Sequence, residues 1–106
     1  IKRAKGLVRS GVFTAGSLSL NPNNGMVISE DREIKLTARE YGILRVLMEN
    51  KGRVISREQL LDMVWGYNND TDERVLDTHI RNLRKALGDN GKLIKTVIRR
   101  GYKIED

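Results

Sequence analysis

A chain of 106 residues, 39% of them hydrophobic, has the size of one domain with a small core. It contains no cysteine, which excludes disulfides, thiolate metal sites and a thiol nucleophile, and with a single histidine neither a metal site nor a cofactor is expected. No apolar run approaches the roughly 20 residues that span a bilayer, and the N-terminal residues lack a signal-peptide core, so a cytoplasmic domain without a membrane partner is expected. The formal charge of +6 is unevenly placed: between His79 and Lys103 eight basic residues (Arg81, Arg84, Lys85, Lys92, Lys95, Arg99, Arg100, Lys103) stand against Asp89 alone. A charge serving solubility would be scattered, whereas a segregated one suits a nucleic-acid face.

Residues 1–10, IKRAKGLVRS, are basic and without periodicity and read as the remnant of a linker. From Val12 to Leu36 the pattern is of short strands, VFTA, SLSL, MVIS and REIKL, separated by Gly16, by Asn21-Pro22-Asn23-Asn24-Gly25 and by Ser29-Glu30-Asp31. An antiparallel meander with one buried face is the simplest account. Thr37-Ala38-Arg39-Glu40 is a capping box that opens a helix with Tyr41, Leu44, Leu47 and Met48 on its buried stripe, ending near Asn50-Lys51-Gly52. A second box, Ser56-Arg57-Glu58-Gln59, opens a helix whose Leu60, Leu61, Val64 and Trp65 face inward. Gly66 to Thr71, GYNNDT, reads as a loop.

The next segment, Asp72 to Leu87, is the centre of the reading. Leu76, Ile80, Leu83 and Leu87 follow helical spacing and predict a buried stripe, with Arg74, Thr78, Arg81 and Lys85 on the opposite face, Asp77 and Asn82 at its edges, and His79 and Arg84 nearer the core. Such a helix is shaped to lie in a groove of nucleic acid. A merely solvated face is the alternative, with Asp77 and Arg81 as an i,i+4 ion pair. Gly88-Asp89-Asn90-Gly91 reads as a loop, and strands near 93–98 and 102–104 with a basic tip between them close the chain as a hairpin. The fold class is therefore α+β, a winged helix-turn-helix over 11–106: an N-terminal four-stranded antiparallel sheet, three helices and a C-terminal β-hairpin wing.

Several stretches resemble the C-terminal effector domain of bacterial response regulators of the OmpR/PhoB class. They are Leu36-Thr37-Ala38-Arg39-Glu40, Gly52 to Leu61 (GRVISREQLL), Val64-Trp65-Gly66, Arg74 to Leu87 (RVLDTHIRNLRKAL), Thr96-Val97 and Gly101-Tyr102. The resemblance implies a phosphoacceptor receiver domain ahead of this chain, joined by the linker and served by a sensor histidine kinase. It further implies dimerisation through that receiver, with effector domains in tandem on direct-repeat double-stranded DNA. The loop Gly66, Tyr67, Asn68, Asn69, Asp70, Thr71 corresponds to the segment with which relatives touch RNA polymerase.

Residue roles follow from the two readings together. Val75, Asp77, Thr78 and Asn82 are the expected base readers: Asn can bond adenine bidentately, Thr can meet a thymine methyl, and Asp can accept from cytosine unless it pairs internally with Arg81. Arg57, Trp65, Arg74, His79, Arg81, Arg84, Lys85 and Thr96 are expected at phosphates, Arg57 with help from the amides that open its helix. His79 and Trp65 are equally readable as packed side chains. The wing departs from the family pattern, in which Arg directly follows Thr-Val. Here Ile98 holds that position and Arg99 and Arg100 come after it, so either arginine is a candidate for the minor groove.

Other functions fit less well. A protein-interaction module that has lost DNA would carry apolar or acidic groups on the outer face of the third helix. A double-stranded RNA reader could not use a helix in the deep A-form groove. An enzyme would need a phosphate-binding glycine loop, a nucleophile or a carboxylate pair in an apolar setting, none of which is apparent.

Overall fold

The structure, a computed structural model, describes residues 11–106, so the expected linker at 1–10 lies outside the described residues. Strands β1 (Phe13–Ala15), β2 (Leu18–Asn21), β3 (Met26–Ser29) and β4 (Arg32–Ile34) form one antiparallel sheet in that order. Helices α1 (Ala38–Glu49), α2 (Arg57–Trp65) and α3 (Glu73–Leu87) follow, and strands β5 (Ile94–Val97) and β6 (Gly101–Ile104) pair as a separate hairpin. This is the expected winged helix-turn-helix order.

Alternation turns Phe13, Ala15, Leu18, Leu20, Val27 and Ser29 inward, and the register sets Leu20 against Val27 and Leu18 against Ser29. Both capping boxes form: the Glu40 amide donates to Thr37 Oγ1 at 3.2 Å, the Gln59 amide to Ser56 Oγ at 3.0 Å, and each acidic or amide side chain answers the cap's own N–H. On α1 the core takes Ile43, Leu44, Leu47 and Met48, and Tyr41 is only half-buried. The expected single stripe was too narrow because α1 packs against α2, α3, β1 and β6 at once. Leu76, Ile80, Leu83 and Leu87 of α3 are each at most 1% exposed, a burial worth about 1.5–3 kcal/mol per side chain.

Two long-range connections seat the wing and the end of α3. Ile55, between α1 and α2, exchanges backbone hydrogen bonds with Tyr102 at 2.8 and 3.0 Å, and the Gly52 amide donates to Ile104 O at 2.8 Å. The approach leaves no room for a side chain at 101: a Cβ on Gly101 would lie 2.1 Å from Ile55 O. The expected loop after α3 is instead a 3₁₀ turn, Gly88–Leu93. Its Asn90 is buried and donates to Ser17 Oγ at 2.9 Å and Ser29 Oγ at 2.8 Å, while Ser29 donates to Leu87 O at 2.9 Å.

Candidate nucleic-acid interface

Helix α3 begins at the cap Asp72, whose carboxylate accepts from the Arg74 amide at 2.9 Å, and its last turn carries Arg84 and Lys85 where the helix dipole favours cations. With the leucine stripe held inward, Arg74, Val75, Thr78, Arg81, Asn82 and Lys85 are exposed, and Asp77, His79 and Arg84 are half-buried at the margins. The protein's own chain leaves Thr78 and Asn82 uncovered. Thr78 Oγ1 donates back to Arg74 O at 3.2 Å, which fixes its rotamer with the methyl free. Arg74 pairs with Asp72 at 3.0 Å, and that bond holds the exposed Asp72 carboxyl below its ordinary value.

The margin residues are tied together. Asp77 Oδ1 accepts from Arg57 Nε at 2.9 Å and from the Tyr102 hydroxyl at 2.6 Å, joining α3 to α2 and to β6. The internal partner of Asp77 is therefore Arg57 and not Arg81: the start of α2 packs against this flank of α3 and its guanidinium arrives already positioned. The bond to Asp77 raises the Arg57 pKa, and burial followed by the same carboxylate raises that of Tyr102. Arg84 spans the other gap, donating from Nη2 to Ile94 O at 2.7 Å and to Thr96 Oγ1 at 2.9 Å. The guanidinium carbons of Arg57 and Arg84 lie 5.9 and 5.8 Å from the Tyr102 ring centroid. Tyr102 is thus the hub of this cluster, and the sequence marked it only as part of Gly101-Tyr102.

At the end of α2, Trp65 meets His79 with ring centroids 5.4 Å apart in an edge-on arrangement, and Arg39 caps the indole at 4.7 Å. His79 Nδ1 is enclosed without a hydrogen-bond partner among the described residues. In the loop Gly66–Thr71, Asn69 donates to Gly66 O at 2.7 Å and accepts from the Thr71 amide at 3.0 Å, which leaves Tyr67 projecting at 82% exposure. In the wing, Arg99 and Arg100 are exposed at a tight turn closed by the Arg100 amide on Val97 O at 2.9 Å. They line a shallow cleft of about 200 Å³ together with Ser56, Arg57, Glu58, Glu73 and Gly101, so the wing tip meets the starts of α2 and α3. Among the described residues no cluster of side chains suited to a metal ion occurs, and no helix is long and apolar enough to cross a membrane.

The family model for the C-terminal domain of transcriptional regulatory proteins matches residues 31–104. The regulatory protein VanRB of Enterococcus faecalis is 40% identical over 111 residues, which cover 100% of this chain and 50% of that protein. Among solved structures, the response regulator DrrB of Thermotoga maritima, an OmpR/PhoB homolog, superposes with a TM-score of 0.81 at 33% identity over 91% of this chain and 45% of DrrB. The RstA DNA-binding domain of Klebsiella pneumoniae, solved in complex with the RstA box, gives a TM-score of 0.79 at 31% identity over 89% of this chain and 96% of that one. The chain spans about half the length of the curated relatives it matches. By its matched residues, its winged-helix architecture and its exposed cationic third helix, the chain belongs to the family of C-terminal DNA-binding domains of OmpR/PhoB-class transcriptional regulatory proteins.

Proposed function

We propose that this domain controls transcription by binding a specific DNA duplex, with α3 in the major groove and the β5–β6 wing in the adjacent minor groove. The observation that carries the reading is the outer face of α3, where Arg74, Thr78, Arg81, Asn82 and Lys85 are all exposed over a buried leucine stripe. The cleft shared by Arg99, Arg100 and Glu73, the first residue of α3, supports a wing acting beside that helix. Its family is one of transcriptional regulators and not of enzymes.

Val75, Thr78 and Asn82 take the base edges, and Arg74, Arg81 and Lys85 the phosphates. His79 offers the backbone Nε2, its other ring nitrogen being enclosed beside Trp65. Asp77 through Oδ1, Arg84 through Nε and Nη2, and Thr96 through its hydroxyl hold α3 and the wing in register, and the atoms they leave over face the DNA where they were expected. Arg57 remains beside the wing cleft, where a phosphate can share it. In the longer protein a receiver domain precedes residues 1–10 of this chain, acts in the cytoplasm under a sensor kinase, and on phosphorylation pairs two effector domains in tandem on a direct repeat. The loop Gly66–Thr71 then offers Tyr67 to RNA polymerase.

Selection of bound sites from random duplexes, followed by titration with salt, tests the reading. About five to seven phosphate contacts give a slope of log affinity on log salt of roughly −4.5 to −6.3. Arg81→Ala should weaken binding to selected and scrambled duplexes alike, whereas Asn82→Ala should lower affinity for the selected site and relax base preference at one position. Binding nearly independent of salt, or identical behaviour of the two variants, would refute it.

A further inference from the structure

We infer that Ile98 is an apolar reader of the minor groove, favouring base pairs that lack the guanine 2-amino group. The inference rests on the DNA reading above and extends it to a side chain outside the set of base and phosphate contacts.

A single exposed apolar residue on a protein surface is ordinary; its place singles out Ile98. This β-branched side chain is 79% exposed at the tip of the β5–β6 hairpin, the wing that the DNA reading sets in the minor groove. The turn holds it there. Val97 pairs with Gly101 at the root, the Arg100 amide closes onto Val97 O at 2.9 Å, and Arg99 adopts φ +66° between them. Arg99 and Arg100 follow directly, both exposed, and turn into one cleft with Ser56, Arg57, Glu58 and Glu73 at the starts of α2 and α3, a cleft that Ile98 does not line. Cations turned back toward α2 and α3 in this way suit the phosphate wall on that side of a groove. Ile98 is then the side chain left for its floor.

The chemistry of the floor makes this selective. A·T and G·C pairs present the same kind of acceptors in the minor groove and differ by the guanine 2-amino group, which adds a donor and bulk. An isoleucine offers that donor nothing, and a donor buried without a partner is costly. Aliphatic side chains of this kind are among those that proteins set into minor grooves. An arginine at the same position would instead donate to acceptors common to both pairs.

The test uses the 106-residue chain and one selected duplex whose wing-facing flank is built in G·C, inosine·C or A·T form. Inosine is guanine without the 2-amino group, so replacing one by the other leaves the major groove unchanged. Binding to the inosine·C flank should be about tenfold tighter than to the G·C flank, and Ile98→Val should retain that ratio. Ile98→Ser, at an exposed turn position where the fold does not depend on the side chain, should bring the ratio below about twofold. Equal affinity of the unaltered chain for the two flanks would overturn the inference. So would a ratio that survives Ile98→Ser, since the preference would then belong to Arg99 and Arg100 in a narrowed groove. A chain that binds no selected duplex would overturn the DNA reading itself.

Discussion

Asp77 receives both Arg57 and the Tyr102 hydroxyl on one carboxylate oxygen, and through them a residue of α3 governs how α2 and the wing sit beside it. One oxygen of the carboxylate is thereby held toward α2 and β6. Arg84 does the same on the opposite margin, with its fork on Ile94 O and Thr96. Guanidinium is suited to this task because its donors are rigid and cannot lose their proton. If Asp77 is the shared acceptor, Asp77→Asn and Tyr102→Phe should each destabilise the domain by about 1–2 kcal/mol, with a coupling of about 1 kcal/mol in the double-mutant cycle. Urea denaturation of the four proteins measures it, and strictly additive changes would show that the two side chains act separately.

At the scale of elements, the junction between α3 and the sheet is held by polar groups inside an otherwise apolar core. The 3₁₀ turn brings Asn90 to Ser17 and Ser29, and Ser29 in turn satisfies Leu87 O at the end of α3. The C-terminus of the helix thereby has a partner for a carbonyl that its own ladder leaves open. Gly91 makes the turn possible, since a Cβ there would lie 2.4 Å from Arg84 O. Replacing Asn90 with Ala leaves the buried Ser29 oxygen without its donor, the exposed Ser17 hydroxyl turning to water, and should cost about 1–3 kcal/mol, seen as a lower urea midpoint at unchanged slope. A loss below about 0.5 kcal/mol would mean that water replaces the amide without penalty.

Across the whole molecule, the start of the sheet and the end of the wing strand are brought together by Asp106, which accepts from the Gly16 amide at 3.0 Å and lies 3.6 Å from Lys51 Nζ. The Gly16 amide first, and the Lys51 ammonium with it, hold this carboxyl below its ordinary value of 3.8. A lowered folded pKa contributes stability that is fully present above the unfolded value and is lost as pH falls through the folded one. Asp106→Asn should therefore be less stable than the unaltered domain at pH 7, and the two should converge as the pH is lowered past 3.8 and through the folded value. Parallel thermal melts across that range measure the convergence, and a constant difference at every pH would exclude an ionised Asp106 as the cause.

Much of this was legible in the residues. Both capping boxes, the leucine stripe of α3, the turn-separated strands and the basic hairpin tip depend on neighbours a few positions away, so periodicity and local hydrogen-bonding capacity are enough to find them. The family followed from the same stretches. The Arg57 partner of Asp77 lies 20 positions away and the Tyr102 hydroxyl 25, and the Ser17–Asn90 bond spans 73, so no local pattern could choose among the possible partners. The sequence by itself determined the elements, their order and the cationic face of α3. Only the packing of those elements decided which polar side chains stay exposed on α3 and which are bonded between the helix and the wing, because each margin residue can reach several partners and the arrangement of α2, α3 and β6 selects among them.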